Sequence, residues 1–251
     1  MRVVYFGNNR VGYEIFKWLL PQVDIVGLII HSDARAKYSK EIIREFKLHD
    51  NAIFKAEELA SSDTIDKIKA LNADIGVCVF FGDIIKEPLL SSFSRGIINI
   101  HPSYLPYNRG CYANVWSIVD DTPAGATIHE ITPALDKGPI WCQKKVHKEL
   151  TDTGKTLYEK CEQACIELFK DNWDAIAHAK IKPFNQAHAD MTYHKLSDIQ
   201  NIDQIDLQRQ YTGSELINIL RARTFAPHKG AYFMDGEKKI YMRIQLDEEK
   251  T

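Results

Sequence analysis

Apolar residues recur along this chain with two different periods. Val3 to Phe6 is a short apolar run ending at Gly7-Asn8-Asn9, and Val11, Ile15, Trp18 and Leu19 then repeat at helical spacing through Leu20. The chain therefore opens as strand, turn and helix. Val23 to Ile30 is apolar at nearly every position, as in a strand covered on both faces of a parallel sheet. A charged helix over about 36 to 47, an extended piece at Ala52 to Phe54, a helix over about 62 to 71 and a strand at Ile75 to Phe80 continue the alternation. Such alternation predicts the α/β class, with a doubly wound, mostly parallel, Rossmann-like sheet.

The pattern then changes. Cys111 to Val119 reads as a helix, and Ala124 to Ile131 and Ile140 to Val146 read as strands. Thr153, an N-cap residue, opens a long helix to about Ala179 with Leu157, Cys161, Ala164, Cys165, Leu168 and Ala175 at helical spacing. Residues 184 to 212 show no sustained period and are expected to form a connecting loop. A helix over about Gly213 to Arg223 follows, and Asp235-Gly236 between two apolar runs predicts a β-hairpin. The boundary is placed at residue 183, with residues 184–251 a linker, a short helix and a small α+β hairpin module. The terminal Asp247-Glu248-Glu249-Lys250 is expected to be solvated.

Composition narrows the function classes. With 251 residues, of which 45% are hydrophobic, the chain can bury one large core and a small appendage. A formal charge of −2 gives no global bias toward nucleic acid. Five cysteines without C-x-x-C spacing read as reduced structural thiols, and no metal site is expected. The N-terminus reads as a strand and not as a signal peptide, and no apolar run reaches the length of a membrane span. A cytoplasmic location without membrane attachment is the expectation.

Candidate chemistry sits in Ile98-Asn99-Ile100-His101-Pro102. Asn99 and His101 alternate with isoleucines at the strand period, so they share a face, and Pro102 ends the strand just after His101. The C-terminal strand ends are where open α/β sheets bind ligands. Leu135-Asp136-Lys137-Gly138-Pro139 adds a carboxylate, completing an amide, an imidazole and an acid suited to acyl transfer. An asparagine amide can donate to a developing oxyanion, which is worth roughly 3 to 4 kcal/mol in acyl-transfer sites. His101 can accept a proton from an attacking amine or donate to the oxyanion, and Asp136 can orient the imidazole, tune it or relay a proton. Alone, Asn-x-His is usually a structural pair and Leu-Asp-x-Gly a turn.

Asn99-x-His101, Pro102-Ser103-Tyr104-Leu105-Pro106, Arg109-Gly110 and Leu135-Asp136-Lys137-Gly138-Pro139, in that order and spacing, resemble the formyltransferases that use 10-formyltetrahydrofolate. The resemblance covers residues 1 to about 180, and Phe225 to Phe233 less strongly. It implies formyl transfer from the folate to an amine, with Asn99, His101 and Asp136 catalytic. Phe80, Phe81, Gly82, Asp83 and Ile84 resemble the folate pocket, where loop backbone groups would pair with the pterin edge while Phe80 and Ile84 wall it. Asn8 and Arg10, in a turn before a helix that favours anions, and Tyr107, Asn108, Arg109 and Phe225 are the candidate substrate contacts.

The family acts on methionyl-tRNA, glycinamide ribonucleotide and nucleotide-linked amino sugars. The chain has little sequence after the long helix for an RNA-binding domain, and Asn8-Asn9-Arg10 departs from the glycine- and serine-rich loop of the glycinamide ribonucleotide enzymes. The resemblance therefore points to a nucleotide-sugar substrate, with thymidine diphosphate the favoured nucleotide, and to a homodimer. Tyr232 and Tyr241 could stack on a base, although hairpin aromatics more often pair across strands. A silent nucleotide- or folate-binding protein on the same scaffold is the competing class. A nicotinamide oxidoreductase is opposed by Asn9 in place of the second glycine of GxGxxG, and by His31 where an acidic ribose ligand would stand.

Overall fold

The computed structural model describes residues 1–47, 50–187 and 191–249. The chain begins β1 (Arg2–Gly7), α1 (Asn9–Leu19), β2 (Asp24–Ile30), α2 (Ser39–Glu45), β3 (Ile53–Lys55), α3 (Ser62–Ala70), β4 (Ile75–Val79) and β5 (Ile97–His101). It continues β6 (Arg109–Gly110), α4 (Ala113–Val119), β7 (Ala124–Glu130), β8 (Ile140–Val146) and α5 (Gly154–Ala177). The last elements are β9 (Tyr193–His194), α6 (Gln200–Asp203), α7 (Gly213–Ala222), β10 (Tyr232–Asp235) and β11 (Lys238–Tyr241).

Seven strands form one sheet in the order β3-β2-β1-β4-β5-β7-β8. Strands β1 to β5 pair in parallel, and β7 joins β5 antiparallel. The doubly wound reading is met, because the order reverses between β1 and β4. The strands are apolar throughout for the reason the sequence implied: Val3 to Phe6 and Leu28 to Ile30 are all 0% exposed. Burial raises the hydroxyl of Tyr5 well above its ordinary pKa, while that hydroxyl donates to the Gly12 carbonyl at 2.6 Å.

The chain divides into two compact units, the first made of Met1–His101, Thr127–Gln143 and Cys165–Gln186, and the second of Pro102–Ala126, Lys144–Ala164 and Ala187–Thr251. In the first, Val4, Phe6, Ile29, Phe81, Phe93 and Ile97 join one apolar cluster. In the second, Trp116, Ile118, Leu157, Cys161 and Ala222 form another. Thr153 caps α5 as its sequence suggests, its hydroxyl accepting from the Thr156 amide at 3.2 Å.

Several expectations need correction. The strand expected through Phe80 stops at Val79, because Phe80 takes φ +52°. The stretch expected to be a loop carries β9, a 3-10 turn at Leu196–Ile199 and α6, each too short to show a period; residues 188–190 of that stretch lie outside the described residues, as does Lys250. The hairpin turn is Gly236-Glu237 and not Asp235-Gly236, since Asp235 pairs with Lys238 and Gly236 takes φ +58°. Tyr232 and Tyr241 do pair across it, their rings 5.6 Å apart. Among the described residues no helix is long and apolar enough to cross a membrane.

Candidate active site

The antiparallel pairing of β5 with β7 sets Asn99 opposite His129 and His101 opposite Thr127. Directly opposed residues project from the same side of a sheet, so two polar pairs meet on one face while Ile98, Ile100 and Ile128 project from the other. Asn99 Nδ2 lies 3.1 Å from His129 Nε2, and His129 Nδ1 lies 2.8 Å from the Glu130 carbonyl. A carbonyl can only accept, so Nδ1 carries the proton and Nε2 receives the Asn99 N–H. His129 thereby sets the orientation of the Asn99 amide.

Asp136 faces both imidazoles. Its Oδ2 is 3.8 Å from His101 Nε2 and its Oδ1 is 3.6 Å from His129 Nε2. These separations exceed a hydrogen bond but are close enough for strong Coulomb coupling where water is excluded. Exclusion is substantial, with His101 9% and His129 2% exposed. The imidazole planes stand 87° apart at a centroid distance of 6.3 Å, so the carboxylate meets the two rings from different directions.

The carboxylate is held by its loop. Asp136 adopts φ +51°, and Gln186 Nε2 donates to the Asp136 carbonyl at 2.9 Å and the Gly138 carbonyl at 2.8 Å. A Cβ on Gly138 would lie 1.8 Å from the Glu130 carbonyl oxygen, so only glycine allows this loop to close against β7. Gln143 Nε2 donates to Thr127 Oγ1 at 3.0 Å, tying β8 to the residue opposite His101. Sequence reading missed His129, Thr127, Gln143 and Gln186. For the first two a signal existed: Thr127 and His129 alternate with Ala126 and Ile128 as Asn99 and His101 do with their isoleucines.

The loop after β4 departs from its expected layout. Phe80 at φ +52° and Gly82 at φ +84° turn the chain sharply, and Phe81, 1% exposed, packs edge-on against Phe6 in the core. A cavity of about 710 Å³ is lined by Gly82, Asp83, Ile84 and Ile85 with Ala56, Glu57 and Leu59 among others. Of the two expected walls, Ile84, which is 62% exposed, lines this cavity, whereas Phe80 does not, nor does Phe81. Asp83 is gripped by Arg35, whose two terminal nitrogens donate at 3.1 and 2.6 Å.

The expected substrate contacts are scattered by the fold into different roles. Asn8 Oδ1 accepts from the Lys37 amide at 2.7 Å and its Nδ2 donates to the Arg35 carbonyl at 3.4 Å, so its side chain staples a loop. Arg10 is half-buried on α1. In the second unit, Asn108 is fully buried and its Nδ2 donates to Ser117 Oγ at 2.9 Å and Thr122 Oγ1 at 2.8 Å. Arg109 is 3% exposed, with Nη1 2.8 Å from Met191 Sδ. Neither presents its head group to solvent. Tyr107, half-buried, accepts from Ser103 Oγ through its carbonyl at 2.5 Å. Phe225 packs on Tyr158 and His228, with centroids 5.6 and 5.3 Å away. No cluster of three or more potential metal ligands occurs among the described residues.

Comparison with known proteins adds the remaining constraint. Residues 20–171, more than half the chain, match the formyl transferase family, and residues 198–248 match the N-formyltransferase dimerization C-terminal domain. The dTDP-4-amino-4,6-dideoxyglucose formyltransferase of Mycobacterium tuberculosis is 32% identical over 157 residues, covering 61% of this chain and 65% of that protein. The match thus spans slightly under two thirds of the relative's length. The methionyl-tRNA formyltransferase of Clostridioides difficile is 24% identical, covering 100% of this chain and 82% of that protein. A 4-N formyltransferase structure from Francisella tularensis is 27% identical with a TM-score of 0.84, covering 98% of each chain.

Proposed function

The chain belongs to the formyl transferase family, and from that premise we propose that it moves a formyl group from 10-formyltetrahydrofolate to the amine of a nucleotide-linked amino-deoxysugar, with dTDP as the nucleotide. The observation that carries the reading is the convergence of Asn99, His101 and Asp136 on one half-dry sheet end, with Asp136 3.8 Å from His101. When bound, the folate supplies an electrophilic formyl carbon. The cavity beside Gly82 to Ile85 fits an elongated, partly apolar donor, since it offers loop backbone groups beside apolar walls.

The residues then divide the work. His101 Nε2 takes the proton that the amine loses as its nitrogen bonds to carbon. Asp136 steadies the imidazolium so formed, as a carboxylate within 4 Å favours the charged ring. Asn99, oriented by His129, donates to the formyl oxygen as it gains negative charge. Gln186 and Gly138 act at one remove by holding the Asp136 loop.

A sugar nucleotide is favoured over tRNA because the Francisella 4-N formyltransferase resembles this chain over 98% of each protein at a TM-score of 0.84, and residues 198–248 match the N-formyltransferase dimerization C-terminal domain. We further propose a homodimer through residues 198–248, where Ile217, Met234, Ile240 and Tyr241 are at least 36% exposed. A panel of dTDP- and UDP-amino sugars, glycinamide ribonucleotide and methionyl-tRNA, each with the folate donor, tests the substrate. Formylation of a dTDP-amino sugar alone is expected; formylation of methionyl-tRNA alone would replace the reading.

A further inference from the structure

We infer that His31 is a positioning residue for the donor loop, holding Phe81 to Asp83 in the shape a folate would meet; this rests on the reading of that loop as the donor site. His31 follows the last residue of β2 and is 1% exposed. Its ring lies nearly parallel to that of Phe81, with centroids 4.6 Å apart and planes 17° apart. His31 Nε2 also donates to the Phe81 carbonyl. Its Nδ1 is 3.5 Å from Asp83 Oδ2, beyond a well-formed hydrogen bond, so the grip on the loop is the stacked ring and the bond to Phe81.

A loop of this shape needs an external brace. Phe80 and Gly82, on either side of Phe81, both have positive φ, and a phenylalanine does not rest there without support. The segment carrying His31 is itself anchored. Ser32 Oγ donates to Glu57 Oε1 at 2.8 Å, Arg35 forks onto Asp83, and Asn8 accepts from the Lys37 amide. Residues 31–37 therefore form a bracket fixed to Glu57 and to the β1–α1 turn, which touches the donor loop at two side chains. The bracket explains why Phe81 is buried: its ring is the surface His31 holds, and the cavity wall falls to the residues after it.

The test uses the full chain with His31→Phe, which keeps an aromatic ring and removes the donor, and His31→Gln, which keeps an N–H and removes the ring. Loss of a buried hydrogen bond to a carbonyl predicts that His31→Phe raises the KM for the folate donor by about tenfold. Its kcat and its KM for the nucleotide sugar stay at wild-type values, and His31→Gln recovers part of the loss. Amide exchange at residues 81–84 without ligand is the second readout, expected to quicken in both variants. Unchanged exchange in both variants overturns the bracket whatever the ligand, as does an unchanged donor KM or an equal rise in both KM values. If exchange quickens but the wild type shows no saturation by folate, His31 still braces the loop and the donor reading fails instead.

Discussion

At the scale of single residues, the site depends on which way an amide and a carboxylate point. Replacing Asn99 with alanine removes the donor to the developing oxyanion, and kcat should fall by about 10² to 10³ with the nucleotide-sugar KM little changed. Steady-state kinetics on the folded variant checks this. Gly138→Ala should cost activity and stability together, because its Cβ would meet the Glu130 carbonyl at 1.8 Å and push the Asp136 loop away from His101. Thermal unfolding and kcat on one preparation would reveal the pairing of losses. Asn99 and His101 were legible because strand alternation is local. His129 speaks only through its pairing with Asn99, and Gln186 reaches Asp136 across 50 positions, so no local pattern marks either. The burial of Asn108 and Arg109 was not legible, because residue type alone does not show that an amide or a guanidinium is packed inside the protein.

At the scale of elements, periodicity located most helices and strands, and the misses fall where backbone geometry overrides it. β4 stops one residue early at the positive φ of Phe80, and α4 starts at Ala113 behind Tyr112 at φ +57°. The start of α5 combines a local cap with a charge network. Thr153→Ala should destabilise the fold by about 1 kcal/mol in urea unfolding. Beside it, burial pushes the Asp152 carboxyl up, but Lys160 at 2.8 Å, the Glu149 amide and Thr156 together hold it below its usual pKa. A depressed folded pKa gives stability that is complete above the unfolded value of about 3.9 and is lost as pH falls through the folded value. Asp152→Asn should therefore flatten the acid limb of the stability profile relative to wild type, as read by unfolding at stepped pH.

For the whole molecule, fold class and family were readable from the alternation and the motif order, while the proposed acceptor amine rests on similarity to sugar N-formyltransferases. The α/β alternation was visible because strands covered on both faces must be apolar throughout, as Val3 to Phe6 are. The C-terminal segment was harder: its β9 and α6 span 2 and 4 residues, too few for any period to show. If residues 198–248 join two copies, Ile240→Lys should shift the mass in light scattering from dimer to monomer while the donor KM is kept. The central claim is that Asn99, His101 and Asp136 transfer a formyl group to a sugar amine. Its most direct test is transfer from a carbon-13 formyl donor to a dTDP-amino sugar, followed by NMR, for the wild type and His101→Ala. The account predicts a labelled formamide on the sugar with the wild type and its loss with His101→Ala. Equal formamide from both proteins, or none from the folded wild type with any nucleotide sugar, would contradict it.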